Sequence, residues 1–273
     1  SISFTAPTTN CSATTTQTFI EATATVTTSG TLDTIMLDLY NSTGLYNSTI
    51  NGASPAFKNW TTLPDGAYYW NATANTTVGV LTYTETRSTY IDTTNPTVAF
   101  VSPSNASGAN LFMGQTLYAN VTATDVNLNN ITLNLYDPSN ILINTTTSAT
   151  SPLYNTYVLT TGGNYSLNAT AYDTLGHTNK TETRNYTVYS FSQAITSPTD
   201  LQTIASTTVP INYVISNIIP VGETATCNLY ADGVAVDTHI TSGGAYTYTG
   251  TFAYGPHTTY LTCYITSIPA FTS

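Results

Sequence analysis

Asparagine is the residue whose spacing carries chemistry in this chain. Asn10, Asn41, Asn47, Asn59, Asn71, Asn75, Asn105, Asn120, Asn130, Asn144, Asn164, Asn168, Asn179 and Asn185 each open an Asn-x-Ser/Thr triplet whose middle residue is not proline. Such a triplet presents the carboxamide nitrogen as an acceptor for an N-linked sugar. These are 14 of the 22 asparagines before residue 191. Ser and Thr fill about a third of the chain, so composition alone would give roughly seven acceptors. The excess favours sugar attachment over accident. The three asparagines beyond residue 190 stand in no such triplet.

The other reactive residues form no catalytic pattern. His177, His239 and His257 fall in turns or near strand edges without metal-ligand spacing. No Gly-x-Ser-x-Gly elbow, phosphate-cradling glycine loop or Cys/His nucleophile arrangement occurs. Gly162-Gly163 and Gly243-Gly244 read as hairpin glycines. Asp92 and Asp125, near the joints of the chain, offer oxygens to calcium, but the full ligand set is missing, so no metal and no cofactor are expected. The four bases, Lys58, Arg87, Lys180 and Arg184, stand against a net charge of −10 and make no basic stripe for nucleic acid. An enzyme is the least favoured class. Charged residues are 7% of the chain, against about a quarter in ordinary soluble domains; covalent sugar would supply the hydration that charge does not. The 21 tyrosines read as strand material, with sugar binding by exposed rings as the alternative.

The elements that must hold these residues repeat. An opening strand ending in proline occurs at Phe4-Thr-Ala-Pro7, Phe100-Val-Ser-Pro103 and Ile195-Thr-Ser-Pro198, the prolines lying 96 and 95 residues apart. Leu-Tyr before a turn recurs at Leu39-Tyr40, Leu135-Tyr136 and Leu229-Tyr230. Asn-Ala-Thr-Ala starts at Asn71 and Asn168, and Thr-Glu-Thr-Arg at Thr84 and Thr181. Four marks in one order at nearly constant offset identify a true repeat. Within it, apolar residues alternate: Leu117, Ala119, Val121 and Ala123; Ile131, Leu133 and Leu135; Tyr165, Leu167, Ala169 and Ala171. Period two buries one face of a strand and wets the other, the pattern of an antiparallel sandwich. It also points Asn120, Asn130 and Asn168 outward, where a sugar has room. The fold expected is all-β, with three tandem immunoglobulin-like sandwiches at 1–94, 95–190 and 191–273. Their short joints, such as Asp92 to Thr97, predict a semi-rigid rod.

The Ser-Pro opening strand, the mid-domain Leu-Tyr, Tyr-x-Leu-x-Ala near the end and the Asn95-Pro96 joint together resemble prokaryotic cell-surface immunoglobulin-like or fibronectin-like repeats. That group includes archaeal surface and filament proteins. The resemblance spans the whole chain and implies stalks, adhesins or fibres, with no catalytic residues to carry over.

The third repeat departs from the other two. Cys227 takes the place of Leu37 and Leu133, and Cys263 that of Ala72 and Ala169, all core-facing. A disulfide bridging the two sheets follows, as in antibody-type sandwiches, with a pair of buried free thiols as the alternative. Cys11 is free or pairs outside the chain. The last strands of the first two repeats are Thr84–Ile91 and Thr181–Val188, and one more repeat length puts their successor past Ser273. The third sandwich is therefore expected to be one strand short. Strand addition from a neighbour would fill the slot and, repeated head to tail, build a fibre. Ile2, Phe4 and Ala6 alternate suitably for a donor, though they also match the opening strand of their own domain. A chain continuing past Ser273 is the rival explanation. No apolar run approaches the length that spans a bilayer, and the start at Ser1 reads as a mature secreted chain or a trimmed one. The expected function is a protomer of an extracellular, N-glycosylated filament whose partners are its own copies and covalent glycans, without nucleic acid or membrane insertion. The alternatives are a surface adhesin using the bare third domain, or a passive stalk segment.

Overall fold

A computed structural model describes residues 1–12 and 14–268. The stretch from 269 on, where the shortened third sandwich was expected to end, lies outside the described residues. Every regular element among them is a β-strand. The chain packs into two compact units. One is Ser1–Pro96 with Asp125–Leu128 and Tyr172–Thr178; the other is Thr97–Thr124, Asn129–Ala171 and Asn179–Ser273.

The first unit contains β1 (Ile2–Thr5), β2 (Ile20–Val26), β3 (Leu32–Asn41), β4 (Gly44–Asn51), β5 (Ala56–Trp60), β6 (Gly66–Thr76), β7 (Leu81–Tyr83) and β8 (Arg87–Ile91). One sheet runs β1-β2-β5; the other runs β4-β3-β6-β7, with β8 also on β6. Alternation decides what lies between them. Ile20, Ala22 and Ala24 of β2 face Ile35, Leu37 and Leu39 of β3 and Trp70, Ala72 and Ala74 of β6 across one buried core.

The chain continues with β9 (Thr97–Phe100), β10 (Asn110–Phe112), β11 (Thr116–Thr124), β12 (Leu128–Tyr136), β13 (Leu142–Ser148), β14 (Leu153–Val158), β15 (Gly163–Asp173), β16 (Thr178–Lys180) and β17 (Arg184–Ser197), which lie in the second unit except for Leu128, Tyr172, Asp173 and Thr178. It closes with β18 (Thr208–Ile219), β19 (Ala225–Ala231), β20 (Val234–Thr241), β21 (Gly244–Thr251) and β22 (Thr259–Ile265). These strands form the sheets β14-β11-β9, β13-β12-β15-β17-β18-β21, and β20-β19-β22. The alternating residues picked out in the second repeat, from Leu117 to Ala171, are buried. These are tandem immunoglobulin-like β-sandwiches.

β17 joins the second and third repeats with no linker. Residues Arg184 to Val188 pair with β15, and Ser190 to Ser197 of the same strand pair with β18. One strand thus closes one sandwich and opens the next. Phe112 stacks on Tyr189 at 6.2 Å and meets Phe191 edge-on at 6.4 Å beside this joint. Gly162 lies against it too: a Cβ there would come within 2.3 Å of Ser190 Oγ. Neither glycine pair sits in a hairpin, contrary to the sequence reading. Gly162-Gly163 links β14 to β15 and Gly243-Gly244 links β20 to β21, and in each case the two strands belong to different sheets.

The repeated Thr-Glu-Thr-Arg is a clasp on the opening strand. Thr84 and Thr181 hydroxyls accept hydrogen bonds from the amides of Ala72 and Ala169, at 2.9 and 3.0 Å. Arg87 then lies over the Phe4 ring and donates to Thr9 O, while Arg184 lies over Phe100 and donates to Asn105 O. Two of the four bases in the chain are committed to tying a last strand to a first one.

Candidate functional site

The flank of β22 distinguishes the third repeat from the others. In the first repeat β6 pairs with β3 on one side and with β7 and β8 on the other; in the second, β15 has β12 on one side and β16 and β17 on the other. β22 pairs with β19, and no strand covers its other side among the described residues. Cys227 and Cys263 are directly opposed with Cα atoms 4.1 Å apart, the separation of a pair that exchanges no backbone hydrogen bonds. The backbone N–H and C=O of Cys263, and of Leu261 two residues before it, therefore turn toward the uncovered side. Gln193 of β17 already reaches across and donates to Leu261 O at 3.4 Å.

Among the described residues, the side chains beneath this flank are only partly buried. Leu261 takes the place of Trp70 and Leu167, which are fully buried, yet Leu261 is only half-buried. Phe191, Ile195, Val236 and Phe252 likewise pack against the third core without being fully covered. Gln193 marks the same place in sequence. Five residues before the opening-strand proline the first two repeats have Ile2 and Val98; the third has a polar side chain, a signal that apolar periodicity passes over.

Cys227 and Cys263 are joined by a disulfide, both fully buried. The bond does not bridge the two sheets as expected. β19 and β22 are neighbours in one sheet, just as Leu37 and Ala72 are opposed on β3 and β6. The repeat alignment places both positions on the core face, and a core face belongs to either sheet. Cys11 is exposed and its thiol lies 3.3 Å from Ser88 O; hydrogen bonding with the Ser88 backbone and, less, the Ser88 side chain lowers its pKa.

Ile2, Phe4 and Ala6 lie at the start of their own sandwich. β1 pairs with β2, Ile2 is buried in the first core, Phe4 sits under Arg87 and Ala6 is exposed.

The acceptor asparagines fall into two groups. Asn10, Asn47, Asn144, Asn164, Asn179 and Asn185 are exposed, and Asn41, Asn59, Asn71, Asn75, Asn105, Asn120, Asn130 and Asn168 are half-buried. Asn120 departs from the outward expectation. Its backbone is on the wet face, between buried Ala119 and Val121, but its Nδ2 turns to donate to Ser102 O at 2.8 Å. The segment after β9 folds over it, and Ser104 bonds its backbone at both N and O.

The first unit brings together three carboxylates, not two. Asp173 joins Asp92 and Asp125, with one oxygen of each within 4.8 Å of the others. Asp92 and Asp173 are each 2% exposed. Asp173 meets His177 Nδ1 at 2.6 Å, and Asp92 accepts from Asn127 Nδ2 at 2.7 Å and from Thr94. Burial alone would raise the Asp92 pKa; the bonds from Asn127 and Thr94 and the nearby His177 outweigh it and hold the carboxyl below its usual value. Three oxygens are short of the roughly six to eight that calcium takes. The other two histidines also face aspartates, His239 against Asp237 and His257 against Asp232. His257 Nε2 faces Ala253 O as well, and with an acceptor at each ring nitrogen its pKa is raised.

No protein-family model and no curated protein matches the chain. Among solved structures it is similar to the fibronectin(III)-like modules of Clostridium thermocellum CbhA (17% identity, 69% of this chain and 93% of that one, TM-score 0.29). It is also similar to the chicken CNTN1 FN1–FN3 domains (11% identity, 96% and 93%, TM-score 0.30) and to an amphioxus IgVJ-C2 molecule (18% identity, 64% and 98%, TM-score 0.38). No helix of the described residues is long and apolar enough to cross a membrane.

Proposed function

We propose that this chain is the structural protomer of an extracellular, N-glycosylated filament, assembled head to tail by addition of a strand from a second copy to the open flank of β22. The supporting observation is the pairing of a strand edge that no strand covers among the described residues with a half-buried core at Leu261, Phe191 and Ile195. An extended segment with apolar side chains on alternate positions satisfies both at once, through backbone bonds on one side and core contacts on the other. β17 is the intramolecular counterpart of such a joint, since it ends one sandwich and begins the next. A contact between the head of one copy and the tail of another propagates into a filament where its rotation does not close a ring. Ile2, Phe4 and Ala6 are the candidate donors; to serve, they must leave β2 and the Arg87 clasp, so donation is an exchange of one edge for another. Sugar on the outer faces of the first two repeats would keep such a polymer hydrated despite its low charge.

The test is electron microscopy and light scattering of the full-length natural protein, beside a Leu261→Asp variant. Fibres that survive dilution, lost in the variant while the first unit still melts normally, are the expected result. Monomers at high concentration, with the β22 amides protected from exchange by a downstream segment of the same chain, would overturn the proposal. An adhesin is the second reading: the third repeat has no acceptor triplet, and stacked Tyr230 and Tyr260 (centroids 4.8 Å apart) leave Tyr260 45% exposed. Saturable binding to a glycan array by monomeric protein favours it.

A further inference from the structure

The fourteen acceptor triplets differ in a property that the triplet rule ignores, namely where the amide oxygen lies. Sugar attachment joins Nδ2 to the anomeric carbon of an activated glycosyl pyrophosphate. The carbon–oxygen bond to the pyrophosphate breaks, the pyrophosphate leaves with that electron pair, and Nδ2 gives up one proton. The product is a secondary amide, held planar like a peptide bond and strongly preferring the trans arrangement. Trans to Cβ means on the same side as Oδ1, so the first sugar ring must sit beside that oxygen. The cis alternative is disfavoured roughly 70-fold for a simple secondary amide.

At three acceptors that space is filled by protein. The Oδ1 atoms of Asn59, Asn75 and Asn120 are buried and have no hydrogen-bond partner among the described residues. Their orientation is set by chemistry. Asn59 Nδ2 donates to Glu21 Oε1 (3.2 Å), Asn75 Nδ2 to Asp33 Oδ2 (3.4 Å) and Asn120 Nδ2 to Ser102 O (2.8 Å). Two carboxylates and a carbonyl can only accept, so turning the amide over would set oxygen against oxygen. Each of these amides therefore offers its nitrogen to the protein and its oxygen side to a covered surface. At Asn144 and Asn164 the opposite holds: both residues are exposed, and each Oδ1 accepts from a half-buried threonine hydroxyl, Thr146 and Thr187 respectively.

We propose that the folded protein carries sugar on its exposed acceptors, Asn10, Asn47, Asn144, Asn164, Asn179 and Asn185, and leaves Asn59, Asn75 and Asn120 bare. This rests on the N-glycosylated reading above and sharpens it to individual residues. The experiment is site-by-site occupancy of the natural protein by mass spectrometry of intact glycopeptides, after chymotryptic digestion because the chain has only four basic residues. Occupancy at Asn59, Asn75 and Asn120 is expected to be about tenfold or more below that at Asn144, Asn164 and Asn185, consistent with the cis penalty. An Asn120→Gln variant should keep its full sugar mass, and an Asn144→Gln variant should lose one glycan. Equal occupancy at all fourteen would overturn the inference while leaving the glycoprotein reading intact. A protein without sugar at any acceptor would overturn both.

Discussion

Replacing Cys227 by Leu and Cys263 by Ala together would give the third repeat the pair that the first already uses, since Leu37 faces Ala72 in the matching register. The exchange isolates the cross-link from the packing. Both sites are fully buried, and Leu with Ala fills a core position that the fold accepts elsewhere. What remains is chain entropy. The bond closes a loop with a sequence separation of 36, and for that length the loop-entropy relation gives about 3.8 kcal/mol at 25 °C. With a urea m-value of about 1.5 kcal/mol per molar, the midpoint of the third sandwich should fall by roughly 2.5 M. That loss is a large part of the stability of a small domain and strikes the core whose side chains at Leu261, Phe191 and Ile195 are only partly buried among the described residues, so this region should unfold well before the rest. Urea titration followed by hydrogen exchange on peptides covering β19 and β22 reads the change there, with peptides from β3 and β6 as the internal control. A midpoint shift under about 0.5 M at β22 would refute the reasoning, because the covalent bond would then not be what holds β22 to β19.

Arg184→Met should destabilise the second unit by about 1–3 kcal/mol in urea melts, because it removes a charge-assisted bond to Asn105 O and the stacking on Phe100; Arg184→Lys should recover little, since a point charge cannot make both contacts. Asp92 is held below the usual carboxylate pKa, so its contribution is present at neutral pH and is lost as pH falls through its folded value. Melting temperatures of the first unit from pH 6 down to pH 2.5 should accordingly drop more for the native chain than for Asp92→Asn, and parallel curves would contradict the assignment. Gly162→Ala places a methyl group against Ser190 Oγ and Ile219 at the β17 joint, a cost of about 1–3 kcal/mol that a thermal melt of the second unit detects.

Period-two alternation and the 96-residue offset were enough to establish strands, repeats and inward faces, because burial of one strand face writes itself directly into residue order. The residues of the disulfide were also legible, as paired exceptions in a repeat. Which strands lie side by side was not legible. Cys227 and Cys263 face the core from one sheet rather than two, Gly162-Gly163 turns between sheets, and Asp173 comes to lie beside Asp92 from 81 residues away. Alternation reports a face without naming the partner, and sheet order is set by which edges meet when the core closes. The same limit governs the side chains. Residue order puts Asn120 on a wet face, but Ser102 and Ser104 decide where its amide points. Arg87 and Arg184 are ordinary bases in the sequence and become clasps only when the last strand is laid beside the first. Local pattern determined what each strand is, and contacts distant in sequence determined what each reactive group can touch.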